Sequence, residues 1–414
     1  MSAINHNDMP IVQRPEKNAS SRSVKKFIFA IAAILIGVVI FEAGLHIAQF
    51  FFQFNKFKSE RDWQLDLRAA SAAYRGKDWA KPYYDELKLM NSTIDPLVGW
   101  RPQEFHGTYM NVDADGMRKT WNPATSTTSS KVITVFMFGG STMLGAGTPD
   151  GYTIPSYVSR MLNEHAPPGT TYLVRNYGQS GYVLVQEIAK LTLLLERGER
   201  PDYVIFYDGA NDTAYSYQSG IPGIAGSLGV IGDQFRERLD ASTAGQFWTW
   251  IKDTVKASCF SCRLAFDAIR GFDPSFLNPN VIVGQSLDDA AIAKLAREVA
   301  GEYQNHTLGY LRTLENGFRF KLLTFWQPTI YTESKIVGDE AHLDIIDPHV
   351  DDPTAKKLFV DVNHLLPSDP VLHFYNISDA FAGRTHEYYI DYTHVSDEGD
   401  AAVAQRIVGA MQSY

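Results

Sequence analysis

Residues 131–147 read KVITVFMFGGSTMLGAG, and this stretch decides the fold. Val132–Phe138 is an unbroken apolar run of buried-strand length, ended by a Gly139-Gly140-Ser141-Thr142 turn. A strand without polar alternation is covered on both faces, as in the middle of a parallel sheet packed between helices. The pattern then repeats. Ile154, Tyr157, Val158, Met161 and Leu162 recur at helical spacing, Leu173–Asn176 is a second strand, and Leu184, Ile188, Leu191 and Leu195 mark a helix. Tyr203–Tyr207 is a third strand. A helical pattern through Ile292, Leu295, Val299 and Tyr303 precedes a fourth, Lys321–Phe325; Phe374–Ile377 is a fifth, and Ala401–Met411 a closing helix. Repeated βα units of this kind predict an α/β domain over residues 131–414: three layers, α/β/α, around a parallel five-stranded sheet. Residues 213–285 break the rhythm, Gly-rich early and aromatic late, and read as an insertion capping the site.

Upstream, residues 125–130 contain only Ser and Thr and read as a linker. Residues 55–130 as a whole form an N-terminal subdomain and linker. It carries four of the seven Trp (Trp63, Trp79, Trp100, Trp121), which serve either as a sugar-stacking surface or as packing for a small core. Phe27–Phe41 has fifteen consecutive residues without a charge, and Glu42 and His46 are the only ionisable residues before Phe54. About 20 apolar residues span a bilayer, so residues 27–54 read as a transmembrane anchor and stalk. A cleaved signal peptide is the competing reading. The long polar N-terminal region and the lack of a small-x-small cleavage site favour the anchor.

The 414-residue chain has a net charge of −9, with +3 on residues 1–26 and −12 on the rest. The basic leading segment predicts a cytoplasmic tail over residues 1–26 and an extracytoplasmic body, periplasmic in a Gram-negative cell. The acidic body, without a basic stripe, excludes nucleic acid as a partner. Cys259 and Cys262 are too few for a four-thiolate zinc site and read as a small disulfide or as two free thiols. His342, Asp344, Asp347, His349, Asp351 and Asp352 lack metal-ligand spacing and read as a solvated loop, so no metal is assigned. No Gly-Lys-Ser/Thr follows Gly139-Gly140, and the glycines lack dinucleotide-binding spacing, so no phosphate-cradling loop or nucleotide cofactor is implied.

Ligands in α/β sheets sit beyond the carboxyl ends of the strands, and four such ends carry chemistry. The first turn lifts the Ser141 hydroxyl to the strand end, as a nucleophile or a plain helix cap. In Asn176-Tyr177-Gly178-Gln179-Ser180-Gly181 a glycine lets a backbone N–H approach an oxyanion, and in Asp208-Gly209-Ala210-Asn211-Asp212 the asparagine amide can do the same. Ordinary turns explain either segment taken alone. In Asp391-Tyr392-Thr393-His394 a turn can fold the carboxylate onto the imidazole, leaving the far nitrogen free as a base.

Taken together and in this order, these four segments resemble the SGNH (GDSL-type) hydrolases. The segment Asp95–Arg101, with Asn111 and Gly116-Met117-Arg118, is similar to the lead-in of membrane-anchored members from bacterial surface-polysaccharide systems. The chain departs from the family's name-giving motif at Gly140, where the family has Asp. The resemblance implies a flavodoxin-like domain and a serine esterase with Ser141 as nucleophile, His394 as base and Asp391 as its orienting partner. Ser141 N–H, Gly181 and Asn211 would form the oxyanion hole, and no cofactor would be needed. The expected substrate is a small O-acyl ester, acetyl above all, on an envelope or extracellular polysaccharide. An O-acyltransferase using the same triad, a lipase or thioesterase, and a non-catalytic carbohydrate-binding or assembly subunit are the alternatives. Nothing in the sequence indicates an oligomeric state.

Overall fold

The computed structural model describes residues 19–95, 97–124, 131–225, 287–345 and 352–414. The chain divides into two compact units: Met1–Phe57 with Ala241–Asn278, and Lys58–Asp240 with Pro279–Tyr414. Helix α1 (Ala19–Ala69) begins in the first and ends in the second; its part in the first contains Lys25–Gly44, 20 residues of mean hydropathy 2.6 with none buried. That stretch is long and apolar enough to cross a membrane.

The second unit holds the chemistry. The end of α1 leads to α2 (Ala80–Leu89) and to two small antiparallel pairs, β1 (Ser92–Asp95) with β2 (Gly99–Pro102) and β3 (Phe105–His106) with β4 (Asn111–Val112). Next come β5 (Lys131–Gly139), α3 (Ser141–Leu144), α4 (Ile154–Glu164), β6 (Thr170–Asn176), α5 (Leu184–Glu196), β7 (Tyr203–Asp208) and α6 (Ala210–Ser219). After the insertion follow α7 (Asp289–Gln304), a π-helical turn over Asn305–Leu311, α8 (Arg312–Phe318), β8 (Lys321–Trp326), α9 (Pro353–Leu365), β9 (Phe374–Asn376) and α10 (Asp397–Gln412). The segment 213–285, expected from the sequence as an insertion, starts within α6. Residues 226–286, with Cys259 and Cys262, lie outside the described residues, as do the linker 125–130 and the middle of the acidic loop. Asp352, at that loop's end, caps α9 by accepting from Thr354 N and Ala355 N.

Strands β5 to β9 form one sheet in the order β6-β5-β7-β8-β9, all parallel. Numbered along the chain this is 2-1-3-4-5, the flavodoxin-like arrangement, whose strand order reverses between β5 and β7. Alternation within each strand explains the three layers. Val135, Met137, Ile205 and Leu323 pack with Val158 and Leu162 of α4 and Val403 and Ile407 of α10. Phe136, Phe138, Val204, Phe206 and Leu322 turn the other way onto α5, α7 and α9. Each such side chain, when fully buried, stabilises the fold by about 1.5–3 kcal/mol. A third cluster joins Leu65, Tyr74, Tyr83, Tyr84 and Met110 to Ile390, so the N-terminal segment shares a core with the loop that carries Asp391.

Candidate active site

Strand β5 delivers Ser141 as the first residue of α3, at the reversal point of the sheet. Its Oγ lies 2.7 Å from Nε2 of His394, and the Nδ1 of that ring lies 2.7 Å from Oδ2 of Asp391. A hydroxyl thus joins, in one hydrogen-bonded line, an imidazole 253 residues further along the chain and the carboxylate three residues before that imidazole. The loop is built to hold it. Asp391 Oδ1 accepts from Thr393 N at 2.9 Å and His394 N at 2.7 Å, and Ile390 N donates to His394 O at 2.9 Å. Gln327, just beyond β8, donates to Thr393 Oγ1 at 2.6 Å and accepts from Thr142 Oγ1 at 3.4 Å, tying the histidine loop to the serine turn.

Asp391 is fully buried. Burial pushes a carboxyl towards its neutral form, but the neighbouring His394 and Arg68, and the hydrogen bonds from His394, hold this one well below its ordinary value. Arg68 Nη2 lies 2.8 Å from Oδ2, the same oxygen that faces the imidazole.

The remaining two expected residues come to the same place. Asn211 opens α6 just after β7, and its amide donates to Tyr182 O at 2.8 Å while lying against the Cα of Gly140. An amide has two hydrogens, so a second one is not used by the Tyr182 bond. Gly181 has φ +73°, the left-handed region that favours glycine. A methyl group there would lie 2.8 Å from Tyr215 Oη and 3.3 Å from Trp100 Cζ2. Gly178 is needed for closeness instead, because a side chain at that position would strike the backbone of Leu144.

Gln327, Tyr182 and Tyr215 carried no signal in the sequence, whereas Trp100 and Arg118 stood out there only as an aromatic residue and as part of the lead-in resemblance. Trp100 reaches in from β2, donates its indole N–H to Ser180 O at 2.7 Å and packs edge-on against Tyr182 at 5.5 Å. Of the other tryptophans, Trp79 stacks on Tyr152, Trp121 lies under Arg160, and Trp63 is exposed. Arg118, itself buried, donates to the carbonyls of Leu144 at 3.0 Å, Gly145 at 2.6 Å and Thr148 at 2.6 Å and pairs with Asp150 at 3.1 Å, clamping the chain after the nucleophile turn. Burial raises Glu187 and Asp208, whose adjoining carboxyls repel as charges, and pushes Asp212 up to about 6. Concavities of about 500 and 690 Å³ elsewhere on the body are lined by none of Ser141, Asp391 or His394.

No family model matches the chain, and no curated protein does. Solved structures similar to it include a lipase from a goat rumen metagenome, 15% identical over 67% of this chain and 97% of that one, with a TM-score of 0.36. Another is the acetyl xylan esterase AlAXEase, at 12% identity over 67% and 99% of the two chains and a TM-score of 0.34. A third is Est24, a carbohydrate acetylesterase from Sinorhizobium meliloti, at 12% identity over 68% and 99% and a TM-score of 0.31.

Proposed function

We propose that the chain is a serine esterase of the SGNH type that hydrolyses small O-acyl esters, acetyl above all, on an envelope or extracellular polysaccharide. The observation that carries this reading is the relay from Ser141 Oγ through His394 to Asp391, with both links at 2.7 Å. His394 Nε2 takes the hydroxyl proton as Ser141 Oγ attacks the ester carbonyl, and Asp391 stabilises the imidazolium and fixes its tautomer. The oxyanion is held by the N–H groups of Ser141 and Gly181 and by the Asn211 amide. The imidazolium then protonates the departing alkoxide, which leaves an acyl group on Ser141. Water deprotonated by His394 attacks that ester and releases the acid.

Crowding of Gly181 by Tyr215 and Trp100 supports a short acyl group. The apolar stretch Lys25–Gly44 supports anchoring through one helix, and the +3 charge on residues 1–26 favours a cytoplasmic tail with the catalytic body beyond the membrane. The test is acetate release from O-acetylated oligosaccharides by purified protein beside a Ser141→Ala control. The proposal requires release that disappears in the variant; equal release from both would refute it.

A further inference from the structure

The carboxylate of Asp391 is more heavily engaged than a histidine partner needs to be. Oδ1 is fixed by two backbone amides of its own loop. Oδ2 faces two cations or incipient cations at once: Nδ1 of His394 at 2.7 Å and Nη2 of Arg68 at 2.8 Å. Arg68 is remote in sequence from every strand end that carries the site. It belongs to the last turn of α1, closed by Ala70 N donating to Asp66 O and Ser71 N to Arg68 O. One turn earlier on the same helix face, Leu65 is buried in the cluster that also contains Tyr84 and Ile390, the residue preceding Asp391. The packing that seats α1 therefore also aims the guanidinium.

Resting on the triad reading above, we propose that Arg68 is a positioning residue of the catalytic relay: its guanidinium holds Oδ2 of Asp391 in the plane and position from which it accepts the Nδ1 proton of His394. Two physical consequences follow. A fully buried carboxylate held by two backbone amides and a neutral imidazole still has no full positive charge beside it, and a guanidinium supplies that compensation. Because Oδ1 is already held by the backbone, the contact at Oδ2 sets the tilt of the carboxylate, hence the direction of the imidazole and the approach of Nε2 to Ser141. A shift of about 1 Å in such a line costs on the order of 100-fold in rate. The last turn of α1 is thus part of the enzyme and more than a tether.

The test uses the full chain in detergent with Arg68→Gln and Arg68→Lys. Turnover of an aryl acetate gives kcat and KM, and the downfield proton resonance of the His394 Nδ1–H reports the hydrogen bond to Asp391 directly. R68Q is expected to lower kcat by about tenfold to a hundredfold with KM within about twofold, and to move or erase the resonance. R68K keeps the charge without the planar fork, so it is expected to fold, to fall between R68Q and the parent in kcat, and to show a displaced resonance. Either variant, folded, with both kcat and the resonance unchanged overturns the proposal, as does a loss confined to KM. The resonance needs no turnover, so it separates failure of this proposal from failure of the esterase reading, which appears instead as S141A matching the parent.

Discussion

Replacing Asp391 by Asn tests two claims with one variant. The wild-type carboxylate accepts three hydrogen bonds, two from backbone amides on Oδ1 and one from His394 on Oδ2, and pairs with the Arg68 guanidinium at Oδ2. An asparagine that keeps its oxygen towards the amides presents an NH2 group to the imidazole and the guanidinium. The ring must then take the opposite tautomer, with a lone pair on Nδ1 and a proton on Nε2 aimed at Ser141. The base is lost while the geometry is kept, and kcat is expected to fall about 10⁴-fold, or about 5.4 kcal/mol at 1.36 per decade. Stability falls as well, because Arg68 loses its anion; breaking a buried pair costs about 3–5 kcal/mol, and with the Arg68 side chain 24% exposed the lower end applies. The pH dependence has a definite sign. Asp391 is held below the ordinary 3.8 in the folded state, so its contribution is complete at neutral pH and is lost as pH falls below about 4. Thermal melting of parent and D391N from pH 7 down to pH 3 therefore shows a gap that narrows with acid. Aryl acetate turnover within tenfold of the parent, or a melting gap indifferent to pH, would refute this reasoning.

Three further outcomes are expected. Asn211→Ala removes one oxyanion donor and lowers kcat by about 10²–10³ with little change in KM, measured on the same ester. Arg118→Met removes one donor from each of the Leu144, Gly145 and Thr148 carbonyls and leaves Asp150 without its cation, costing about 3–5 kcal/mol and lowering the melting midpoint by about 5–8 °C. For Asp208 and Glu187 the sign is opposite to that of Asp391. Burial raises both, so folding retains protons that the unfolded chain releases, and stability declines as pH rises above about 4. Asp208→Asn is expected to gain about 1–2 kcal/mol at neutral pH and to flatten that decline in melting curves.

The sheet was legible because its strands are buried on both faces: Val132–Phe138 and Tyr203–Tyr207 show as unbroken apolar runs, and the strands observed extend them by only one or two residues. The candidate site was legible through order, since Ser141, Gly181, Asn211 and the Asp391–His394 pair each follow a strand of the pattern although each turn alone reads as ordinary. Arg68 was not legible. A cation near the end of a long helix has the same local sequence whether it faces water or a buried carboxylate, and only the packing of Leu65 beside Ile390 makes the difference. Trp100 and Tyr215 meet Gly181 from two distant elements, a contact that no spacing along the chain encodes. Glu187 looks like a solvated helix charge; its burial follows from the rotation of α5 onto the sheet.

The central claim is that Ser141 is a nucleophile activated by His394, and covalent labelling by a fluorophosphonate tests it most directly. With the native chain, mass spectrometry of the digested adduct is predicted to find one equivalent of label on Ser141, strongly slowed by His394→Ala and abolished by unfolding. Native protein that stays unlabelled, or that carries the label on another residue, would contradict the account.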